Sequence, residues 1–200
     1  MWARLESNTI VEILTRPKAL NIGGTQYPSN IFSMWSNSEL ATIGIVPVTI
    51  DDTNLKNKEY YINTDITYAY NTETGVATGT YGTATAIAIA DTLYTAQDET
   101  DGLGTEGEVK TRGLKYAHKE RINLQAANIL SPTDWMVVRA AEGGTAVPSS
   151  ITTKRAAVRT KANAMCTQID AVSDVDALEA LYVYNDATPP VRPLGELPTV

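Results

Sequence analysis

The hydrophobic repeat changes near residue 105, and that change constrains the fold more than any other feature of the chain. Before it, apolar residues alternate; after it, they recur every three or four positions. Period two puts alternate side chains on opposite faces of a strand, and a period near 3.6 lines them along one face of a helix. Strands first and helices afterwards predict an α+β chain, with an N-terminal antiparallel β-rich part followed by a C-terminal helical hairpin or small bundle. Residues 1–50 read as a small β-rich module and 51–105 as a Thr/Ala/Gly-rich antiparallel β region. Residues 106–184 read as a helical region and 185–200 as a Pro-rich extended tail.

Local signals place the elements. Trp2–Leu5 and Ile10–Leu14 flank the polar turn Glu6-Ser7-Asn8-Thr9 and predict a hairpin. Ala19–Ile22 runs into Gly23-Gly24 and predicts another. Ser36-Asn37-Ser38-Glu39 has capping-box spacing and opens a short helix that stops at Gly44. Ile45–Ile50 follows as a strand whose Pro47 belongs on an edge or at the strand start, because proline lacks an N–H. Tyr60–Tyr70 reads as one strand with Tyr and Ile on its buried face. Val76–Tyr81 returns antiparallel to it, and Thr83–Ala90 alternates again. Gln97–Gly104 has the polarity of a linker.

Beyond the switch, Glu106–Ile129 predicts one helix, weakened by Gly113. Ser131-Pro132-Thr133-Asp134 starts another, with Ser131 as cap and Pro132 in the first turn, ending at Gly143-Gly144. Ser149 or Ser150 caps a third, running to about Val172. Its stripe is Ile151, Arg155, Val158, Ala162, Met165, Ile169 and Val172, at alternating steps of four and three. A short helix follows Ser173-Asp174, and Pro189, Pro190, Pro193 and Pro198 favour an extended arm after it.

Chemistry-bearing residues are scarce. The 200 residues hold one histidine, one cysteine and a net charge of −7. An acidic chain lacks the surplus of Lys and Arg that a generic nucleic-acid or anionic-membrane binder needs. The longest membrane-like stretch, Ala84–Ala90, is far short of the ~20 residues of a spanning helix. The N-terminus is charged by Arg4 and no apolar core follows, so it does not read as a secretory signal. His118 lies in the charged stretch Lys115–Arg121 and reads as a solvated surface residue. Cys166 reads as a small buried filler beside the apolar stripe.

One Cys and one His leave zinc short of ligands. The acidic run 97–108 has Gln97 where a calcium loop needs its first carboxylate. Gly79-Thr80-Tyr81-Gly82 and Gly102-Leu103-Gly104 are incomplete as phosphate loops. Carboxylate pairs such as Asp51-Asp52 are too common in an acidic chain to signal glycoside chemistry. No enzyme, cofactor or metal site is expected. The ten tyrosines and three tryptophans, against one phenylalanine, instead favour half-wet faces and interfaces.

Ser131-Pro132-Thr133-Asp134-Trp135-Met136-Val137-Val138-Arg139-Ala140-Ala141-Glu142, then Val147-Pro148 and Arg155-Ala156-Ala157-Val158-Arg159, resembles a pattern in tailed-bacteriophage tail fibre assembly chaperones and related tail-associated proteins. Trp2-Ala3-Arg4-Leu5-Glu6, Val11-Glu12-Ile13, Tyr27-Pro28, Trp35, Glu39-Leu40 and Ile43-Gly44-Ile45 resemble the opening of such proteins. The resemblance implies a non-enzymatic role in tail fibre assembly or in the tail or fibre itself. Its partners would be other tail or fibre proteins or a second copy of the chain, with no nucleic acid and no membrane. Its location would be the virion tail, or the host cytoplasm during assembly. The Thr-rich region 51–105 departs from the chaperone pattern.

The same motif also reads physically as a capped helical hairpin. Trp135 and Val138 give it a packing face, Arg139 and Glu142 lie one turn apart, and Arg155 and Arg159 reach carboxylates such as Asp134 or Glu142. Tyr27, Trp35, Trp135, Arg139, Arg155 and Arg159 are the candidate partner-binding residues, the aromatics serving either as anchors or as core. An alternative is a viral surface ligand- or glycan-binding module using Tyr60, Tyr68 and Tyr70.

Overall fold

A computed structural model describes residues 1–199. The chain is α+β, with its strands concentrated before residue 112 and its long helices after it. It divides into two units, one from Met1 to Thr85 and one from Ala86 onward.

In the first unit, β1 (Trp2–Glu6), β2 (Thr9–Leu14), β5 (Ile45–Asp51), β7 (Ile66–Asn71) and β8 (Val76–Tyr81) form one sheet in the order β2-β1-β5-β8-β7. The outer strands β2 and β7 also touch each other, so the sheet curls back on itself. All five strands contribute to one concave cluster. Ala3, Val46 and Ala77 are buried there, with Leu5, Ile10, Ile13, Val48 and Tyr70 packed around them. Small side chains at its centre fit the narrow interior that a tight curl leaves.

The convex side is covered by the hairpin of β3 (Leu20–Ile22) and β4 (Thr25–Tyr27) and by the short helices α1 (Ile31–Met34) and α2 (Asn37–Thr42). Leu14, Leu20, Ile31, Leu40 and Ile45 form that second core. Ser36 and Glu39 close the expected capping box on α2. Gly44, at φ +78°, ends the helix where an added Cβ would sit 2.8 Å from the Leu5 carbonyl, and its own carbonyl accepts the Leu5 amide.

The structure revises two strand expectations here. Pro47 lies in the central strand β5 rather than on an edge, because β5 changes partners at that point. Residues 45–47 pair antiparallel with β1, and 48–51 pair parallel with β8, so the missing N–H falls where one ladder stops and the other starts. Tyr60–Tyr70 is two strands, β6 (Tyr61–Ile62) and β7. In β6 the alternation is reversed: Tyr61 is buried and Ile62 exposed. The β7–β8 hairpin follows the predicted antiparallel pairing, with Ile66 opposite Tyr81 and Asn71 opposite Val76. The Thr83–Ala90 segment is a strand only at β9 (Thr85–Ala86).

In the second unit, β10 (Thr92–Leu93) pairs with β11 (Val109–Thr111), and α3 (Ala96–Thr100) interrupts the predicted linker. Thr95 and Asp98 box its N-terminus. Asp98 also accepts from Lys110 at 2.6 Å, and these bonds hold its carboxyl down at about 2, the lysine contributing most.

The predicted helix 106–129 begins later, as α4 (Leu114–Leu130), because Gly113 is its N-cap and not an interior residue. The backbone of 88–91 crowds Gly113, where a Cβ would come within 2.3 Å of Ala90. Ala88 and Ile89 carbonyls accept the Leu114 and Lys115 amides, and the Asp91 carboxylate accepts that of Gly113. The helix start is thereby satisfied by a loop in place of a side-chain cap.

Leu114, His118, Ile122 and Ala126 are buried at steps of four along α4, which packs against α6 (Ser149–Ala171). On α6 the buried residues are Arg155, Val158, Ala162, Met165 and Ile169, all within the predicted stripe. His118 is therefore fully buried, not solvated. It occupies the inward position while Lys115, Lys119, Glu120 and Arg121 take the others, and its ring lies 4.9 Å from that of Tyr182. Lys119 pairs with Asp170 at 2.7 Å, and Lys115 donates to the Asp170 carbonyl in the last turn of α6, where the helix dipole favours cations.

Asp174 caps α7 (Val175–Ala180). The Pro-rich tail is irregular but is not a free arm. Leu194 is fully buried, its amide donates to the Leu181 carbonyl, and its carbonyl accepts from Lys161. One apolar side chain among the prolines supplies the reason to fold back.

Gly79, in β8, lies beneath Tyr68, Ile50 and Ile66, each within 3 Å of where a Cβ would stand. Gly79→Ala is expected to cost about 1–3 kcal/mol through overpacking, read as a lower midpoint for loss of the first unit's β signal in chemical denaturation.

Candidate partner-docking site

The segment that carries the resemblance is built around a turn that Pro132 dictates. Proline has no amide to give the helix and its ring crowds the carbonyl four residues back, so α4 cannot continue through it. The chain passes through a single 3-10 turn at Ser131–Thr133 and re-enters helix as α5 (Asp134–Ala141). Ser131 is the C-cap of α4, not the side-chain cap of the next helix. Thr133 takes the connecting role: its hydroxyl donates to the Leu130 carbonyl at 2.9 Å.

Arg155 reaches this turn from α6. One terminal nitrogen, Nη1, donates to the Leu130 carbonyl at 2.7 Å and to Thr133 Oγ1 at 2.5 Å. The other, Nη2, donates to Asp134 Oδ1 at 2.6 Å. The residue is 8% exposed. The expected Arg155–Asp134 pairing is thus present, and each partner sits where the helix ends favour it. The guanidinium faces the negative C-terminal end of α4, and the Asp134 carboxylate lies in the first turn of α5.

Beyond the clamp, Trp135 and Val138, expected to pack, are each 55% exposed, and Val137 is exposed beside them. They lie on α5 three residues apart, which places them on one side of the helix. The Arg139 guanidinium stacks 4.8 Å from the Trp135 ring centroid. Gly144 holds that arginine in place. Its amide donates to the Arg139 carbonyl at 2.9 Å, and a Cβ there would come within 2.8 Å of Arg139 Cγ. On another side of α5, Val137 lines a hollow of about 250 Å³ with Val147, Thr152, Arg155 and Arg159. Arg159 is exposed there and forms no ion pair with the described residues. The result is a small apolar face bordered by the Arg139 guanidinium.

Tyr27 and Trp35 belong to the first unit and take no part in this arrangement. Their rings meet edge to face at 5.9 Å, half-buried against the convex core. Thr133 is a supporting residue that the sequence alone does not single out, and Gly144, expected with Gly143 to stop the helix, also packs against Arg139. A hydroxyl just after a proline, and the second glycine of Gly143-Gly144, were the available signals. Cys166 is partly buried with Sγ 3.8 Å from Asn123 Oδ1, and desolvation pushes its thiol up. Among the described residues no three His, Cys, Asp or Glu side chains gather as metal ligands, and no helix is long and apolar enough to cross a membrane.

Comparison of the chain with protein-family models, curated proteins and solved structures finds no match.

Removing the clamp should cost stability. Arg155→Ala is expected to lose about 2–4 kcal/mol and Arg155→Lys about 1–2 kcal/mol, since lysine cannot fork to three acceptors. Asp134→Asn, on an exposed partner, should cost under about 1 kcal/mol. Urea denaturation followed by helical circular dichroism reads all three.

Proposed function

We propose that this chain is a non-enzymatic bacteriophage tail-associated protein. It works through protein–protein contacts, in tail fibre assembly or as a structural component of the tail or fibre. The observation that carries the reading is the Trp135–Val138 face. It lies in the segment whose residues resemble tail-associated proteins, and it leaves a tryptophan open to solvent although a clamp holds the helix beneath it. A rigid, exposed aromatic flanked by arginine is the composition that dominates binding energy at protein interfaces. Because Arg139 borders it, the partner surface that fits is apolar at its centre and acidic at its edge. The partners are accordingly other tail or fibre proteins, and the places of action are the virion tail or the host cytoplasm during assembly.

Quantitative mass spectrometry of purified particles separates the two versions of the role. A stoichiometric amount of the chain identifies a structural component, and its absence from particles that require it for fibre attachment identifies an assembly factor. In either case Trp135→Ala is expected to weaken capture of the fibre or tail protein at least tenfold, with the helical signal unchanged. Equal capture by wild type and variant would remove the Trp135 face from the role.

A further inference from the structure

The first unit carries a second feature, unrelated to the Trp135 face. At one end of the curled sheet, Ile66, Tyr68 and Tyr81 open into a hollow of about 580 Å³, completed by Leu55, Ile62 and the segment 63–65. Tyr68 and Tyr81 come from neighbouring strands: Tyr81 stands opposite Ile66, and Tyr68 opposite Gly79. Gly79 supplies no side chain, so the Tyr68 ring lies down across the strand instead of standing away from it. The two rings are thus offered as half-exposed surfaces at the mouth of the curl, a usual place for small-molecule sites.

The rim is polar and fixed. Asn63 is locked by two 2.8 Å bonds to the backbone of Lys56, and the Thr64 hydroxyl accepts the Gly82 amide at 2.7 Å. Between and beside these anchored residues, Asp65 and Lys58 line the hollow, and neither side chain bonds to any described residue. A carboxylate that accepts only and an ammonium that donates only leave both kinds of hydrogen bond available, while their charges cancel.

We infer that this hollow is a binding site for a neutral oligosaccharide, whose C–H faces lie on Tyr68 and Tyr81 and whose hydroxyls donate to Asp65 and accept from Lys58. A lipid tail fits poorly, because the exposed charged groups Lys58 and Asp65 line the hollow it would occupy. A nucleotide or acidic glycan would set its negative charge against the Asp65 carboxylate in the lining. The glycan reading on Tyr60, Tyr68 and Tyr70 changes its residues accordingly. Tyr60 is buried, and Tyr70 packs into the concave core. Only Tyr68 of the three remains, joined by Tyr81.

The test is titration of the full chain, by calorimetry and by NMR of the tyrosine rings. The probes are oligosaccharides of glucose, galactose, mannose and N-acetylglucosamine in both linkage anomers, with sialylated and sulfated oligosaccharides alongside. At least one neutral member should saturate the protein with a Kd of about 0.1–5 mM. Tyr81→Ala should weaken it about tenfold and Asp65→Asn at least about threefold. Asp65→Asn alters a side chain bonded to nothing in the fold, so its loss of affinity is not a loss of folding. Absence of binding by every neutral member up to about 10 mM overturns the inference. So does binding that neither variant changes, or tighter binding of the acidic oligosaccharides.

Discussion

A single buried guanidinium organises the C-terminal half of this protein. Arg155 lies inside the apolar stripe of α6, where an unpaired charge is costly to hold. Leu130, Thr133 and Asp134 supply the acceptors, all from the short turn that Pro132 imposes. The arrangement ties three elements with one side chain. It closes the C-terminal end of α4, fixes the start of α5 and anchors both to α6. Removing Arg155 takes the donor from three acceptors at once, the Leu130 carbonyl at the helix end among them, so the cost exceeds that of one hydrogen bond.

The proposed function rests on what the clamp leaves over. Because Asp134 is held, α5 has a fixed direction, and its exposed side carries Trp135 and Val138 instead of a polar stripe. Arg139 covers one face of the indole, and the Gly143-Gly144 turn keeps it there. A preorganised aromatic loses little freedom on binding, which is the reason such residues act as anchors. The first unit uses a different device. A sheet curled around alanines has little room inside; Tyr70 packs into it, while Tyr68 and Tyr81 lie at the mouth, where they remain half-wet.

Much of this was legible in the residues, and the exceptions have physical causes. The period-3.5 stripe of α6 named its buried residues, Arg155 included, and the 36–39 capping box and the β7–β8 hairpin were local signals strong enough to stand alone. His118 reads as solvated because its charged neighbours dominate the local sequence, although the four-residue steps from Leu114 to Ala126 put it inside. The start of α4 is hidden because its acceptors, the Ala88 and Ile89 carbonyls and the Asp91 carboxylate, come from more than twenty residues upstream, which local sequence does not encode. Pro47 lies in a central strand because β5 changes partner, a long-range fact. Trp135 and Val138 read as core by composition; only tertiary placement shows them outside.

Hydrogen exchange in an Arg155→Met variant tests the clamp most directly, since methionine keeps the packing of α6 and removes every donor. Amides of α5 should lose most of their protection relative to wild type, while those of the first unit's sheet stay as they were. Unchanged protection across residues 134–141 would contradict the claim that Arg155 holds this helix in place.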